Sequence, residues 1–253
     1  MIRVENINMD FKSELNGQMQ HVLKNVSFEL NQGDCLAILG ESGSGKSTLG
    51  RILIGLLKPT SGNYYFMDKE PYKNKKDKKF LSENVSVVFQ DYNTSVNPRF
   101  TVKEIIGESV RVLQKRTKEK VDRNAKISEY LNAVGLDDTF LDRFPHQLSG
   151  GQLQRVCIAR AIAIRPKVIL FDEAISSLDA HTQVQVMDLL RELQERYDLT
   201  YLFITHDLTS VTYLCNRVLF LYQGDITEMM DVEEIAMTED EYAKKLLSTI
   251  IEI

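Results

Sequence analysis

A glycine-rich loop near the start of the chain is the first stretch whose residue types and spacing could do chemistry. Residues 40–47 read Gly-Glu-Ser-Gly-Ser-Gly-Lys-Ser and fit the pattern GxxxxGK[ST]. Glycines let the backbone curl so that several N–H groups face one anion, and the dipole of a following helix adds to the attraction. We expect Lys46 to reach the β- and γ-phosphates of ATP and the Ser47 hydroxyl to coordinate Mg²⁺. The residues assigned to the nucleotide in this loop are Gly40, Ser42, Gly43, Ser44, Gly45, Lys46, Ser47 and Thr48.

Two neighbouring carboxylates form a second candidate group. The apolar run Val168–Phe171 is followed directly by Asp172 and Glu173. Ligands of parallel sheets bind at the carboxyl ends of the strands, so both acids are expected where a nucleotide binds. Asp172 would hold Mg²⁺, and Glu173 would polarise the water that attacks the γ-phosphate. Acids that only cap a turn are common, so the pair is informative because a phosphate-binding loop is also present.

The segments that must position these groups alternate between two periodicities. Apolar or alternating runs predict strands at Val22–Leu30, Cys35–Leu39, Val85–Phe89, Val168–Phe171, Thr200–Ile204 and Val218–Tyr222. Apolar residues at helical spacing predict helices over about 46–57, 101–134, 180–197 and 208–214. Strands that alternate with helices indicate an α/β fold with a parallel sheet. The Lys-rich stretch 69–79 is interpreted as a solvated loop, because interleaved acids argue against a patch for membranes or nucleic acid.

The composition is typical of a globular protein. Of the 253 residues, 43% are hydrophobic and 26% are charged, which is enough apolar material for a buried core. The formal net charge of −5 does not favour a nucleic-acid-binding surface, so we expect no nucleic-acid partner. Cys35, Cys157 and Cys215 form no CxxC pair, so neither a zinc site nor a disulfide framework is expected. No secretory signal or membrane-spanning run is visible, and we expect a cytoplasmic protein that reaches a membrane through a partner.

The pentapeptide Leu148-Ser149-Gly150-Gly151-Gln152, the signature segment, carries a family resemblance. Ser149 is a favourable helix N-cap, the two glycines permit a close approach of backbone, and the following helix directs its positive dipole end at an anion. With the extended stretch LSGGQLQRVCIARAI, the chain resembles ABC transporter ATPases over nearly its whole length. The resemblance implies that Ser149, Gly150, Gly151 and Gln152 face the γ-phosphate held by a second ATPase subunit, arranged head to tail.

Further elements of that family follow in the expected order. Gln90 resembles the Q-loop glutamine, which touches Mg²⁺ and the membrane partner, and His206 resembles the switch histidine at the γ-phosphate. Ser177-Leu178-Asp179 resembles the D-loop, which implies that Asp179 takes part in the nucleotide site. Phe11 lies where the family places an aromatic residue that stacks on adenine.

The resemblance also implies how the chain is organised. It implies a P-loop NTPase core with a parallel sheet, an N-terminal antiparallel β lobe and an inserted α-helical subdomain. The nucleotide-binding core would take residues 1–91 and 161–230, and the helical signature subdomain residues 92–160. A short tail would cover residues 231–253.

Two stretches resemble one branch of the family. Gln90–Arg99 is similar to the QDPxxSLNPR stretch of peptide and nickel importers, with Tyr92 in place of Pro and Val96 in place of Leu. Tyr242–Ser248 is similar to their HPYTKALLS segment without its His and Pro. The resemblance implies a motor subunit on the cytoplasmic face of the membrane that drives uptake of nickel, a metal chelate or peptides. Its partners would be transmembrane permease subunits and an extracellular substrate-binding protein.

Two other functions stay open from the sequence. An ABC ATPase of a soluble, non-transport complex would share the same loop and signature. The short separation between Lys46 and Ser149 leaves no room for the long coiled coil of repair-type members. A nucleotide-binding regulatory module without turnover is disfavoured by the intact Glu173 and His206.

Overall fold

Strands and helices alternate along the chain as the two periodicities predict. The computed structural model describes residues 1–12, 17–92, 94–120, 122–176 and 178–250, with side chains up to Ser248. Ser177 of the predicted D-loop and Asn93 of the stretch after Gln90 lie outside the described residues, as does the tail beyond residue 250.

The bounds of the elements in the described residues are as follows. The strands are β1 (Ile2–Lys12), β2 (Met19–Leu30), β3 (Cys35–Leu39), β4 (Ser61–Phe66), β5 (Val85–Phe89), β6 (Val168–Asp172), β7 (Thr200–Ile204), β8 (Arg217–Tyr222) and β9 (Asp225–Asp231). The α-helices are α1 (Lys46–Leu53), α2 (Lys75–Asn84), α3 (Val102–Thr117), α4 (Arg123–Ala133), α5 (Gly150–Ile162), α6 (Ala180–Tyr197), α7 (Leu208–Leu214) and α8 (Glu241–Ile250). Short 3₁₀ turns cover Asp138–Phe140, Pro145–Gln147 and Val232–Met237.

The chain forms two compact units. The first unit combines residues 1–82 with residues 200–253, and the second takes residues 83–199. The functional division predicted from the sequence, with a core of 1–91 and 161–230, a subdomain of 92–160 and a tail from 231, stays a prediction.

The first unit contains two layers of strands. β1 pairs antiparallel with β2 and β4, which gives the expected N-terminal antiparallel lobe. β3 lies between β7 and β8 and is parallel to both, while β9 runs antiparallel to β8. All five residues of β3 are buried. A strand covered on both faces has no polar side to present, which explains why Cys35–Leu39 reads as a continuous apolar run.

The second unit combines a parallel strand pair with helices. β5 and β6 run in register from Val85 opposite Val168 to Phe89 opposite Asp172. The helices α3, α4 and α5 contact one another, and α5 also packs on β5. Their buried residues recur at helical spacing, as in Ile105, Ile106 and Val110 of α3. The α/β fold with an antiparallel lobe and a group of helices is therefore confirmed.

Several predicted elements keep their bounds in the structure. Five are reproduced to the residue, namely β3, β5, α6, β7 and α7. The helix expected to run to Leu57 ends at Leu53, ahead of Gly55, whose φ of +80° no longer fits a right-handed helix. The predicted helical region 101–134 is two helices, because Lys118 closes α3 in the left-handed conformation and Asp122 caps α4.

The expectation of a loop over the whole Lys-rich stretch 69–79 is wrong. The helix α2 begins at Lys75 within it. Asn74 Oδ1 accepts a hydrogen bond from the Asp77 N–H, and Leu81 is buried on the helix face toward the core. Lysine is a good helix former, so the Asn74 cap and the buried Leu81 are enough to order this segment as a helix.

No helix of the described residues is long and apolar enough to cross a membrane.

Candidate functional site

The phosphate loop occupies the end of the central strand of the first unit. β3 ends at Leu39, the loop covers Gly40–Gly45, and α1 begins at Lys46. The strand is held from both sides, with Ile38 opposite Ile204 of β7 and Leu39 opposite Phe220 of β8. The loop therefore starts at the end of a fully buried strand whose backbone is paired on both sides.

Two glycines of the loop stand where a side chain would not fit. A Cβ atom on Gly40 would lie 2.2 Å from the Leu221 carbonyl oxygen. Gly45 has a φ of +108°, and a Cβ atom there would lie 2.9 Å from the Val22 carbonyl oxygen. The Gly224 N–H also donates to the Ser44 carbonyl at 3.0 Å. The loop is thus pressed against the backbone of β2, of β8 and of the turn that follows β8.

The buried polar groups of the loop fit a bound phosphate. The Lys46 side chain is only 6% exposed, and its Nζ donates to the carbonyl oxygens of Gly40 at 2.6 Å and Glu41 at 2.8 Å. The Ser44 Oγ is buried and has no hydrogen-bond partner among the described atoms. A buried ammonium and an unpartnered hydroxyl on a glycine-rich turn before a helix form a donor set suited to an anion of high charge.

His206 stands at the same edge of this sheet. It follows β7, the neighbour of β3, and its side chain is exposed. The next residue, Asp207, caps α7 by accepting from the N–H groups of Thr209 and Ser210, so the turn that carries His206 is held by a capped helix.

Phe11 lies near the end of β1, opposite Gln20 of β2, with 39% of its surface exposed. Its proposed stacking on adenine stays a prediction.

In the second unit, Gln90, Asp172 and Glu173 lie at the carboxyl ends of the two neighbouring strands β5 and β6. Phe89 and Asp172 are opposite each other at the ends of β5 and β6, so Gln90 and Glu173 are the next residues on neighbouring strands. Glu173 has a φ of +49°, a left-handed conformation that is uncommon for a residue with a side chain. Ser176 holds this turn, since its N–H and hydroxyl both donate to the Glu173 carbonyl. Strained backbone of this kind concentrates at functional sites.

The signature segment starts a helix as the sequence predicts. Ser149 is the N-cap of α5, and its Oγ accepts from the Gln152 N–H at 3.3 Å. The Gln152 Oε1 in turn accepts from the Ser149 N–H at 3.0 Å. The predicted N-cap is confirmed, and it is a reciprocal capping box that also uses the side chain of Gln152.

The two signature glycines are packed against side chains of their own unit. A Cβ atom on Gly150 would lie 2.7 Å from the Tyr92 hydroxyl. A Cβ atom on Gly151 would lie 2.6 Å from Cγ2 of Thr182 on α6. Sequence reasoning missed both neighbours. Tyr92 offered one signal, its departure from the Pro of the resembled stretch, whereas nothing in the sequence pointed to Thr182.

Thr182 also contacts the D-loop residue Asp179. Asp179 caps α6, and its carboxylate accepts from the Thr182 N–H at 3.0 Å and from the Thr182 hydroxyl at 2.7 Å. These hydrogen bonds lower the pKa of Asp179 below its ordinary value, and the bond from the Thr182 hydroxyl has the largest effect. One threonine therefore fixes a carboxylate of the D-loop and limits the size of the residue at the start of the signature helix.

The segment after Gln90 is tied to the signature helix. Arg160 of α5 donates to the Ser95 carbonyl at 2.5 Å, and the Ser95 Oγ lies 3.6 Å from the Cys157 Sγ. Val96 is buried, whereas Asn97 and the two residues after it are exposed. Ser95 and Val96 are therefore anchored by packing and hydrogen bonds, whereas residues 97–99 are exposed.

Among the described residues, no group of three or more His, Cys, Asp or Glu side chains could hold a metal ion.

Comparison with known proteins relates the chain to ATP-binding subunits. A family model described as ABC transporter matches residues 23–176. The chain is 44% identical over 235 residues to the nickel import ATP-binding protein NikE of Escherichia coli O157:H7, covering 92% of this chain and 87% of that protein. It is 40% identical over 249 residues to the metal-staphylopine import system ATP-binding protein CntF of Staphylococcus aureus, covering 98% of both chains.

Solved structures with the same fold are also similar in sequence. The ATP-binding cassette MJ0796, a dimer in a post-hydrolysis state bound to ADP and Pi, is 30% identical with a TM-score of 0.79, covering 92% of this chain and 99% of that one. The protein cbiO1 of Clostridium perfringens, part of the ABC transporter complex cbiONQ, is 26% identical with a TM-score of 0.80, covering 99% of this chain and 95% of that one.

The contact between Gly151 and Thr182 leads to a test in two steps. Gly151→Ala would place its Cβ against Thr182 Cγ2, and we expect overpacking to destabilise the protein by about 1–3 kcal/mol. Thr182→Ser removes that methyl group and keeps the hydroxyl that bonds Asp179, so the double variant should recover most of the lost stability. Denaturant unfolding of the four proteins measures both effects. A double variant no more stable than Gly151→Ala would contradict the packing explanation.

Proposed function

This chain belongs to the ABC transporter family, and from that membership we propose that it is the ATP-hydrolysing motor subunit of an importer for nickel or a metal chelate. The observation that carries the choice of substrate is the similarity to a nickel import and a metal-staphylopine import ATP-binding protein, at 40–44% identity over nearly the whole chain. One relative is named for the import of nickel and the other for the import of metal-staphylopine, so a metal-containing substrate is the class that they share.

The phosphate loop supports the binding of ATP. Lys46 is held on the carbonyls of its own loop, where a triphosphate would compete for the same ammonium donors. We assign Gly40 and Ser42–Thr48 to the phosphates and Phe11 to adenine. The roles of Ser47, Gln90 and Asp172 as ligands of Mg²⁺ rest on the family pattern and on their oxygen donors, which suit a hard cation.

Glu173 and His206 are proposed to carry the hydrolytic step. Glu173 accepts a proton from the water that attacks the γ-phosphorus, and the bond to the β-γ bridging oxygen breaks as ADP and phosphate form. The left-handed turn at Glu173, held by the Ser176 side chain, supports this role, because strained backbone of this kind concentrates at functional sites. His206 is assigned to the γ-phosphate.

The working site is proposed to need a second ATPase subunit, arranged head to tail. Ser149, Gly150, Gly151 and Gln152 would face the nucleotide of the partner, together with Asp179. The dimeric form of the similar cassette MJ0796 supports this arrangement. Ser149, the N-cap of α5, is exposed, and the N-terminus of a helix is a favourable site for an anion.

The segment 91–99 is proposed to transmit the nucleotide state to a membrane permease. Arg160 fixes Ser95 to the signature helix, while Asn97, Pro98 and Arg99 stay exposed for a partner. A groove follows directly, and it is lined by Phe100, Lys103, Glu104, Gly107, Glu108, Arg111, Arg123, Asn124 and Ile127. The subunit would then act at the cytoplasmic face of a membrane, with an extracellular substrate-binding protein in the same system.

The first test removes the loop ammonium. Lys46→Ala should lower the affinity for Mg-ATP by at least about 100-fold, since two or more charge-assisted hydrogen bonds are lost. Isothermal titration calorimetry measures the affinity, and the melting temperature without nucleotide checks the fold. Lys58→Ala, an exposed lysine outside the loop, is the matched control. Equal ATP affinity in Lys46→Ala and the control would refute the phosphate-loop assignment.

The second test removes the basic carboxylate. Glu173→Gln keeps the shape of the side chain, so ATP binding should survive while turnover falls on the order of 10²–10⁴-fold. Phosphate release by the assembled transporter measures the rate, with Glu192→Gln on the exposed face of α6 as the control. If Glu173→Gln hydrolyses ATP at the wild-type rate, another group activates the water.

The third test separates hydrolysis from transport. Arg99→Glu reverses an exposed charge in the segment 91–99, which is proposed to contact the permease. Nickel uptake by the reconstituted transporter should therefore fall severalfold. ATPase activity of the paired ATPase subunits without the permease should stay within about twofold of the wild-type rate, because Arg99 is not among the residues assigned to the nucleotide. Lys58→Glu is the matched charge reversal elsewhere. Wild-type uptake by Arg99→Glu, or loss of ATPase activity by the paired ATPase subunits without the permease, would contradict this role of the segment.

A further inference from the structure

The C-terminal helix contacts the phosphate loop. The hydroxyl oxygen of Tyr242, near the start of α8, accepts a hydrogen bond from the Glu41 N–H at 2.8 Å. Glu41 is the second residue of the loop, and both residues belong to the first compact unit. Tyr242 is 8% exposed although it lies near the end of the chain, so this contact is part of the packed structure.

The peptide that Tyr242 binds is the peptide that holds the loop lysine. The Glu41 N–H and the Gly40 carbonyl belong to one peptide unit, and in a trans peptide the N–H and C=O groups point in opposite directions. The Gly40 oxygen accepts from Lys46 Nζ at 2.6 Å. Tyr242 and Lys46 therefore bind opposite edges of the same peptide unit. Rotation of this peptide would turn its N–H toward the ammonium and lose both hydrogen bonds.

We propose that Tyr242 is a positioning residue for the nucleotide site, which orients the Gly40–Glu41 peptide and thereby the ammonium of Lys46. This inference rests on the proposed role of the loop in ATP binding. The residue acts through the loop backbone, so its effect is on the preorganisation of the loop for phosphate and not on the chemical step.

The surroundings hold the phenol ring in place. The Tyr242 ring packs on the Tyr222 ring with 4.3 Å between centroids. Tyr222 directly follows Leu221, whose carbonyl oxygen lies against Gly40. The strand β8 therefore supports both the loop and the ring that binds it. Burial raises the pKa of Tyr242 above its ordinary value, so the hydroxyl stays neutral at physiological pH.

The start of α8 is itself anchored. The Asp240 carboxylate accepts from the Ala243 N–H at 2.8 Å, and Ala243 is fully buried. Thr238 donates to the carboxylate of Glu228 on β9 and accepts from the Asp240 N–H. Lys245 lies 3.6 Å from the Glu41 carboxylate, but both side chains are exposed, so this ion pair adds little. The tyrosine hydrogen bond is the specific contact.

A pair of matched substitutions tests the inference. Tyr242→Phe keeps the ring and its stacking but removes the acceptor of the Glu41 N–H. Tyr222→Phe removes the other hydroxyl of the stacked pair, which accepts from the Gln223 side chain and does not touch the loop. Calorimetry with Mg-ATP and the steady-state KM and kcat of the assembled transporter are measured for both variants, together with melting temperatures without nucleotide.

We expect Tyr242→Phe to weaken ATP binding by about 2- to 12-fold, the range for loss of one hydrogen bond, and Tyr222→Phe to bind as the wild type does. The KM for ATP should rise by the same factor while kcat changes less. A purely structural role would lower the melting temperature and the active fraction, so kcat would fall at unchanged KM, and that result would overturn the inference.

Lys46→Ala separates failure of this inference from failure of the proposed function. If Lys46→Ala loses ATP binding while Tyr242→Phe binds with wild-type affinity, Tyr242 has no positioning role and the ATP site stands. If Lys46→Ala also binds normally, the loop is not the ATP site, and both proposals are wrong.

Discussion

The buried ammonium of Lys46 is the interaction on which the rest of the first unit depends. A charge removed from water is costly unless hydrogen bonds replace its hydration, and here the carbonyl oxygens of Gly40 and Glu41 do so. The loop must therefore fold back on its own lysine. That fold requires glycine at Gly40 and Gly45, because neighbouring backbone lies within contact distance of any side chain there.

The surrounding elements follow from this requirement. A loop of many backbone donors needs a rigid base, and β3 supplies it by being buried on both faces between two parallel strands. Two further hydrogen bonds hold the loop. The Gly224 N–H donates to the Ser44 carbonyl, and the Tyr242 hydroxyl oxygen accepts from the Glu41 N–H. Only glycine suits the turn at Gly224, where φ is +89° and the Val22 carbonyl lies close to any added Cβ atom.

In the second unit, as in the phosphate loop, glycines allow neighbouring atoms to pack closely. Gly150 and Gly151 start the signature helix against Tyr92 and Thr182, so the most family-like pentapeptide of the chain is also a packing site. The hydrogen bonds between Asp179 and Thr182 connect the beginning of α6 to that site. Substitutions of these glycines are therefore expected to change the folding of this unit as well as its proposed function, and the two effects have to be measured separately.

Much of the fold and most of the candidate site are determined by the sequence itself. The phosphate loop, the N-cap of Ser149 and the strands β3, β5 and β7 depend on local residue types and periodicity, and these act without knowledge of the tertiary structure. The division of 101–134 into two helices and the helix within the Lys-rich stretch were missed. They depend on the caps at Asp122 and Asn74 and on burial of a single leucine, Leu81.

Only the tertiary structure decided which distant residues meet. Thr182 against Gly151 and Tyr242 against Glu41 are contacts between residues 31 and 201 positions apart, and no periodicity encodes them. They arise because packing brings the start of α6 to the signature helix and the start of α8 to the phosphate loop. The sequence could predict which residues face a phosphate, whereas the residues that hold them in place became visible only in the folded chain.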